Sequence, residues 1–488
     1  MGGPKAGSVA PGFTRQQVAR GSAWTAIGFG SATLLRMGSS VVLTRIIPDA
    51  PSVYGVMALV FALYGGILLF SDIGVPLLLT QNRLGMEPAF RNTAWTAQVI
   101  RGLVIWLVAV ALAPVLALSY PDFPGLQELI VVTSLAAILN GFNSTSLFAF
   151  SRNMEVKRLA KLELVSQLCG TIVTITHAYL DPTPWALVSG SLVTSGAKLL
   201  ASHIAADRRD RFQWDSVAAR QLMKIGGWVF ISTALTFGCM QADRLVFAKL
   251  ITKEELGVYA VALRLSMAAG ELLRRMSRNV LFPILCRVHH EDQDLERSFS
   301  KHRWLVVASG GLLLTTMCGG GRAVMELLYV DKFAAGGWIL QLLAAATWID
   351  CCLLAPRMQA IFAMGQPRWA AGANAAKVLA MLTLIPIGFN YYGFLGAVAA
   401  YAFAEVPRYV ITLWGSYACR VRRGGSDILL LLLFCATALA AHLMDQQLKD
   451  SECSALLRCV AACGLPLLAW TPVLLPALRR ARSAPDSR

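Results

Sequence analysis

Fourteen apolar stretches, each at least about twenty residues long, follow one another from residue 22 to residue 478 with short polar breaks between them. A helix of about 20 residues spans a hydrocarbon core about 30 Å thick. In lipid every backbone N–H and C=O must find its partner within the protein, and continuous rather than alternating apolarity selects helices over a closed barrel. The stretches lie at 22–47, 54–80, 94–118, 127–150, 156–180, 184–204, 222–250, 257–285, 304–328, 335–364, 369–389, 392–415, 427–447 and 456–478. With 56% hydrophobic residues, 15% charged residues and a mean hydropathy of +0.57, no large soluble domain fits between them. The expected class is an all-α polytopic membrane protein.

Basic residues orient the spans, because Lys and Arg accumulate on the cytoplasmic side. With the N-terminus inside, 26 of them fall in cytoplasmic segments, whereas the outer loops hold only Lys253, Lys332 and Lys449. Both termini are therefore expected in the cytoplasm. Most of the +16 net charge then reflects topology rather than nucleic-acid binding. The outer loops, such as "PDAPS", "PDFPG" and "TKEE", are too short for an outer-leaflet glycan polymerase or ligase, so an enzyme is not expected.

The eleven cysteines sit mostly in apolar spans and form no metal-ligand or disulfide framework. The pair His289 and His290 lies in a charged loop. No Walker-type phosphate loop is present, so no nucleotide or other cofactor is expected. Energy for transport would come from H+, Na+, the membrane potential or downstream consumption of the substrate.

An internal repeat shapes the architecture. Aligning the segment from Arg20 with the segment from Lys224 sets Trp24 against Trp228, Arg45 against Lys249 and Ile47 against Ile251 at a shift of 204, then Gly55 against Gly257 and Val56 against Val258 at a shift of 202. Six spans separate the copies, so they share one orientation, and two pseudo-symmetric bundles around a central cavity are expected. The chain then divides into a cytoplasmic tail (1–21), an N-terminal six-helix bundle (22–204), a cytoplasmic linker (205–221), a C-terminal six-helix bundle (222–415), two additional helices (416–478) and a cytoplasmic tail (479–488).

Charges inside spans are costly unless they face water, a partner or the bundle interior. "RLSMAAGELLRRMSR", residues 264–278, holds five of them. At 100° per residue Arg264, Glu271, Arg275 and Arg278 share about 60° of the helix face, with Arg274 to one side. Arg36, Arg45, Asp72, Arg101, Asp243, Arg244, Asp350, Arg357, Lys377, Glu405 and Arg408 also lie in apolar spans. Arg278, Arg408 and Lys198 are expected to reach the cytoplasmic surface. Asp72 corresponds to Arg274 at the repeat shift, and the two are expected to pair as a gate. Arginines in a cavity suit an anionic or diphosphate-bearing substrate, whose oxygens guanidinium groups grip in pairs.

The opening "RGSAWTAIGFGSATLLRMGSSVVLTRIIP", with "FSDIG", "WALV" and "LGVYAVALRL", resembles the Wzx-type polysaccharide transporters, the lipid-linked oligosaccharide flippases of the multidrug/oligosaccharidyl-lipid/polysaccharide exporter superfamily. The likeness fades after about residue 415. It implies export of an undecaprenyl-pyrophosphate-linked oligosaccharide repeat unit by alternating access across a bacterial inner membrane, for surface polysaccharide such as lipopolysaccharide or exopolysaccharide. Membrane lipids, a glycan polymerase and a chain-length regulator are the implied partners. A related lipid II flippase lines its cavity with arginines of spans 1, 2 and 8. Here Arg36 and Arg45 on span 1 and Arg264 and Arg275 on span 8 can take such places, while span 2 offers Asp72 and no arginine. Many relatives carry Asn where Gln241 stands, two residues before a retained Asp243. The expected substrate-facing set is Arg36, Arg45, Asp243, Arg264, Glu271 and Arg275. A cation-coupled multidrug antiporter of the same superfamily is the alternative.

Overall fold

The computed structural model describes residues 15–70, 79, 87–153, 155–291, 294–421 and 425–482. The N-terminal half comprises α1 (Arg15–Ile46), α2 (Ala50–Phe70), α3 (Pro88–Ser119), α4 (Leu126–Gly141), α5 (Ser146–Arg152), α6 (Val156–Leu180) and α7 (Trp185–Ile204). The second half comprises α8 (Ser216–Leu250), α9 (Lys253–Met276), α10 (Phe282–His290), α11 (Leu295–Leu328), α12 (Gly336–Trp348), α13 (Ala355–Ala363), α14 (Arg368–Phe403) and α15 (Glu405–Ala418). Helices α16 (Gly425–Asp450) and α17 (Ala455–Arg482) complete the chain.

The described parts of the expected stretches fall on these helices, and the end of the stretch 54–80 lies outside the described residues. Nine described segments are long and apolar enough to cross a membrane, with α14 and α15 taken as one, and the bent pair α4 and α5 makes a tenth. The apolar surface of α3 shows the solvent these helices are built for: Ile100, Leu103, Val104, Leu107 and Val115 are exposed along one stripe while Ile105, Ala109 and Ala113 are buried on the other. A chain that turns apolar residues outward along a whole helix is a multi-pass membrane protein.

Sequence chemistry sets the ends and breaks. The "TKEE" turn is a capping box in which the Glu255 N–H donates to Thr252 Oγ1 at 3.2 Å and the Thr252 N–H donates to Glu255 Oε2 at 3.0 Å. Two wide turns, Ser277–Leu281 between α9 and α10 and Ile349–Leu354 between α12 and α13, each precede a proline, Pro283 or Pro356. A proline lacks the N–H that would close the preceding turn and its ring crowds the carbonyl four residues back, which favours such a π-bulge. In α14 the helix breaks at Tyr392 and at Gly393, whose φ of 59° suits glycine.

The repeat is visible in how helices choose neighbours. In the first half α1 packs on α6, α3 on α4, α2 on α4 and α6 on α7. The equivalent pairs α8 with α14, α11 with α12, α9 with α12 and α14 with α15 pack in the second half. The halves meet chiefly where α2 crosses its counterpart α9. A Cβ at Gly55 would overlap the Lys253 carbonyl, and one at Gly257 would overlap the Pro51 carbonyl. Lys253 is Pro51 shifted by 202, the same shift that relates the two glycines, so the crossing is symmetric about itself. The side chains of Trp24 and Trp228 lie outside the described residues, but Ile47 and Ile251 are both buried at the ends of α1 and α8.

The segment between the halves is strapped to the first bundle. Asp210 accepts from the Ser144 hydroxyl at 2.8 Å and from the Thr145 N–H at 3.0 Å, which holds the break between α4 and α5. Gln213 and Asp215 bond to Asn92 and Thr93 at 2.9 and 3.0 Å. The last two helices are riveted to the second bundle. Asp427 on α16 accepts from Arg303 at 2.6 Å, from Arg357 at 2.9 Å and from the Tyr409 hydroxyl at 2.7 Å. Arg458 on α17 pairs with Asp445 at 2.9 Å and with Glu326 of α11 at 2.5 Å.

Because a methyl group at either glycine meets backbone rather than a flexible side chain, Gly55→Ala and Gly257→Ala should each destabilise by about 1–3 kcal/mol. The mirrored contacts predict nearly equal losses when the detergent-purified variants are unfolded thermally. A neutral variant, or a large imbalance between the two, would contradict the crossing.

Candidate functional site

A cavity of about 560 Å³ lies between the halves, walled by α1, α2, α6 and α7 on one side and α9 on the other. Arg264 reaches it because its neighbours Leu263 and Leu265 are buried while it is itself exposed, although it sits mid-helix. Its guanidinium lies 5.5 Å from the centre of the Tyr54 ring. Tyr54 in turn donates to Ser40 Oγ at 3.2 Å and packs edge-on against Phe333, with ring centres 6.2 Å apart. Beyond Tyr54 the cavity is closed by Ile47, Met57, Ile251 and Leu256, all buried around the Gly55–Gly257 crossing.

Arg36 lines the same cavity from α1. It lies in the field of Arg264, Arg275 and Glu163, but Glu163 is taken by Lys198 at 3.0 Å. Neither Arg36 nor Arg264 has a carboxylate within 4.0 Å among the described residues. Glu271 also lines this cavity. Its two oxygens are shared by Arg275 at 2.9 Å, Arg278 at 3.2 Å and Arg274 at 3.4 Å. The free charge of the cavity is thus two guanidinium groups, one from each half, an arrangement that can hold an anion.

The other charges close on one another within the second bundle. Around a neighbouring cavity of about 280 Å³, Arg274 and Arg408 each donate to Asp350, both at 2.7 Å. Arg408 also reaches Glu405 at 3.2 Å, and Lys377 completes the chain by pairing with Glu405. Asp350 sits in the wide turn between α12 and α13. This network was not legible from the sequence, which marks Asp350, Lys377, Glu405 and Arg408 only as single charges within spans. Arg408 does not reach for the surface: its side chain is 17% exposed and doubly paired. Lys198 likewise pairs with Glu163, whereas Arg278 is the one of the three that is more than half exposed.

The remaining expected residues divide as follows. Arg275 stands behind Glu271 rather than in the wall of the central cavity. Arg45 is exposed in the last turn of α1 and lines neither cavity. Asp243 is buried away from the central cavity, where its Oδ2 accepts from the Tyr259 hydroxyl at 2.6 Å. Gln241, which stands in place of the usual Asn, accepts from Arg244. Asp72 lies outside the described residues. Among the described residues Arg274, its expected partner, is engaged by Asp350 and Glu271. Among the described residues no group of His, Cys, Asp and Glu is placed to hold a metal ion.

Removing one member of a buried ion pair strands the others. Asp350→Ala leaves Arg274 and Arg408 facing each other and should cost about 3–5 kcal/mol. Its effect should be smaller when Arg408 is also replaced by Leu, since one stranded cation is then gone. Additive losses in denaturant unfolding of the micelle-solubilised variants would contradict the network.

Comparison with known proteins places this geometry. The Lipid II flippase MurJ in its inward closed conformation matches with a TM-score of 0.71 at 11% identity, over 94% of this chain and 100% of that one. An inward-facing multidrug resistance MATE family transporter of the MOP superfamily matches with a TM-score of 0.62 at 12% identity, over 81% and 96%. These likenesses concern the fold, which is that of solved transporters. Among curated sequences, the amylovoran biosynthesis protein AmsL of Erwinia amylovora is 23% identical over 52% of this chain and 66% of its own. The lipopolysaccharide biosynthesis protein WzxC of Escherichia coli K12 is 23% identical over 59% and 58%. The aligned region thus spans less than two thirds of either relative. Residues 42–332 match the polysaccharide biosynthesis protein family, Polysacc_synt_3, and the chain belongs to that family.

Proposed function

We propose that this protein is a flippase that moves a polyprenyl-diphosphate-linked oligosaccharide across the bacterial inner membrane for surface polysaccharide assembly. The observation that carries the reading is the pair Arg36 and Arg264, contributed by opposite halves to one cavity and left without a carboxylate. A diphosphate supplies the negative charge that pair lacks, and guanidinium groups bind its oxygens through charge-assisted hydrogen bonds. Family membership and the names of the curated relatives point to polysaccharide precursors as cargo.

The cavity is closed at the end where the α1–α2 and α8–α9 turns lie. In this reading the basic-residue asymmetry supports setting that end on the outer side, with the cavity shut to the outside by the Gly55–Gly257 crossing. In alternating access the Gly55–Gly257 crossing would part while the cytoplasmic ends of the halves approach. No cofactor takes part in this reading, and the drive is H+, Na+ or the membrane potential. A polymerase and a chain-length regulator would receive the exported unit.

Flipping of a fluorescent polyprenyl-diphosphate oligosaccharide in proteoliposomes tests the proposal. Each hydrogen bond to a charged group contributes about 1.5–3 kcal/mol, so Arg36→Ala and Arg264→Ala should each slow flipping at least about tenfold while insertion stays normal. Unchanged rates in both variants would overturn the diphosphate site. Efflux of a cationic dye that needs neither arginine would instead favour the multidrug antiporter, whose fold this chain shares.

A further inference from the structure

The wall of the central cavity opposite α9 carries polar groups that the diphosphate reading leaves unused. On α6, Gln167, Gly170, Thr171 and Thr174 follow one another at i, i+3, i+4 and i+7, so they form one helix face. All four line the cavity. Part of this face is explained by packing. Thr174 donates to the Gly170 carbonyl at 2.8 Å and lies against Gly190 of α7, while Thr194 of α7 donates to the Gly190 carbonyl at 2.8 Å and lies against Gly170. These hydroxyls lock the close α6–α7 crossing, as small residues do in membranes.

Gln167 and Thr171 have no such employment. The Gln167 amide forms no hydrogen bond among the described residues, and Thr171 Oγ1 is buried without a partner in a residue only 6% exposed. On the same wall, Thr33 Oγ1 of the adjoining helix α1 is also buried and unpartnered. Buried polar atoms are ordinarily satisfied, so two buried hydroxyls beside the half-buried Gln167 amide in the lining of one cavity point to something that satisfies them.

We propose that Gln167, Thr171 and Thr33 form a saccharide subsite that binds hydroxyl groups of the sugar next to the diphosphate. The amide and hydroxyls both donate and accept, which matches sugar hydroxyls and not an acyl chain. A cation is disfavoured there, because Glu163 is neutralised by Lys198 and Glu271 by its three arginines. Position along the helices sets the order of the groups. Thr33 lies one turn, about 5 Å, from Arg36 on α1. On α6, Gln167 lies one turn beyond Glu163, whose field reaches Arg36. A sugar bonded directly to a diphosphate held by Arg36 falls within that span. The subsite rests on the diphosphate reading of the same cavity.

Binding to the full-length protein in nanodiscs separates the two claims. The probes are undecaprenyl pyrophosphate and the same lipid bearing one N-acetylhexosamine. The wild-type protein should bind the sugar-bearing lipid about tenfold more tightly. Gln167→Leu combined with the isosteric Thr171→Val should abolish that increment and leave the bare lipid's affinity unchanged, while Arg264→Ala weakens both probes. Thr171→Ser, which keeps the hydroxyl, should retain its share of the increment. An increment that survives the double variant, or an equal loss for both probes, overturns the subsite alone. Failure of the wild-type protein to bind either probe overturns the diphosphate reading and the subsite with it.

Discussion

Charge placed in a hydrocarbon-spanning helix must be paired or wetted, and this constraint organises the second half of the molecule. Glu271, Arg274, Asp350, Arg408, Glu405 and Lys377 close into one chain of ion pairs that crosses from α9 to α15. Asp427 gathers Arg303 and Arg357 in a second cluster with side chains at most 3% exposed. The consequence is a contrast: where partners are so consistently supplied, two guanidinium groups without one are conspicuous. Arg36 and Arg264 stand on opposite sides of a cavity wide enough to hold water, so their exposure there is tolerable in the empty state and favourable when an anion enters.

Backbone geometry makes that cavity. The glycine pair lets α2 and α9 touch backbone to backbone, and the buried residues around that crossing bound one end of the cavity. The proline-linked wide turns after Met276 and Trp348 rotate the helices that follow. Asp350 lies within the second of these turns, where it meets Arg274 and Arg408. The rivets at Asp427 and Arg458 tie α16 and α17 to α11 of the second half.

Much of this was readable in the sequence because membrane helices announce themselves by length and apolarity. The stretch 156–180 coincides with α6 residue for residue, and the matched Gly55 and Gly257 of the repeat turn out to sit at the crossing where α2 and α9 touch backbone to backbone. Arg36, Arg264 and Glu271 were legible as intramembrane charges on cavity-facing helices, and all three line the cavity. Partner choice was not legible. Repeat symmetry nominates Asp72 for Arg274, but the register that delivers Asp350 depends on helix crossings and on a wide turn 76 residues away. Arg45 stands at the end of span 1, where the sequence puts it, but a position along the helix does not say which way its side chain turns, and it lines neither cavity. Gln167 and Thr171 were overlooked because hydroxyls and amides in membrane helices usually satisfy themselves on their own backbone, as Thr174 does.

The central claim is that the diphosphate is held between the halves by Arg36 and Arg264. A cryo-electron microscopy structure of the protein with a polyprenyl-diphosphate oligosaccharide tests it most directly. The account predicts phosphate density bridging the two guanidinium groups, with the Glu271 and Asp350 pairs intact. Phosphates seated instead among Arg274, Arg275 and Arg278, with those pairs broken, would contradict it.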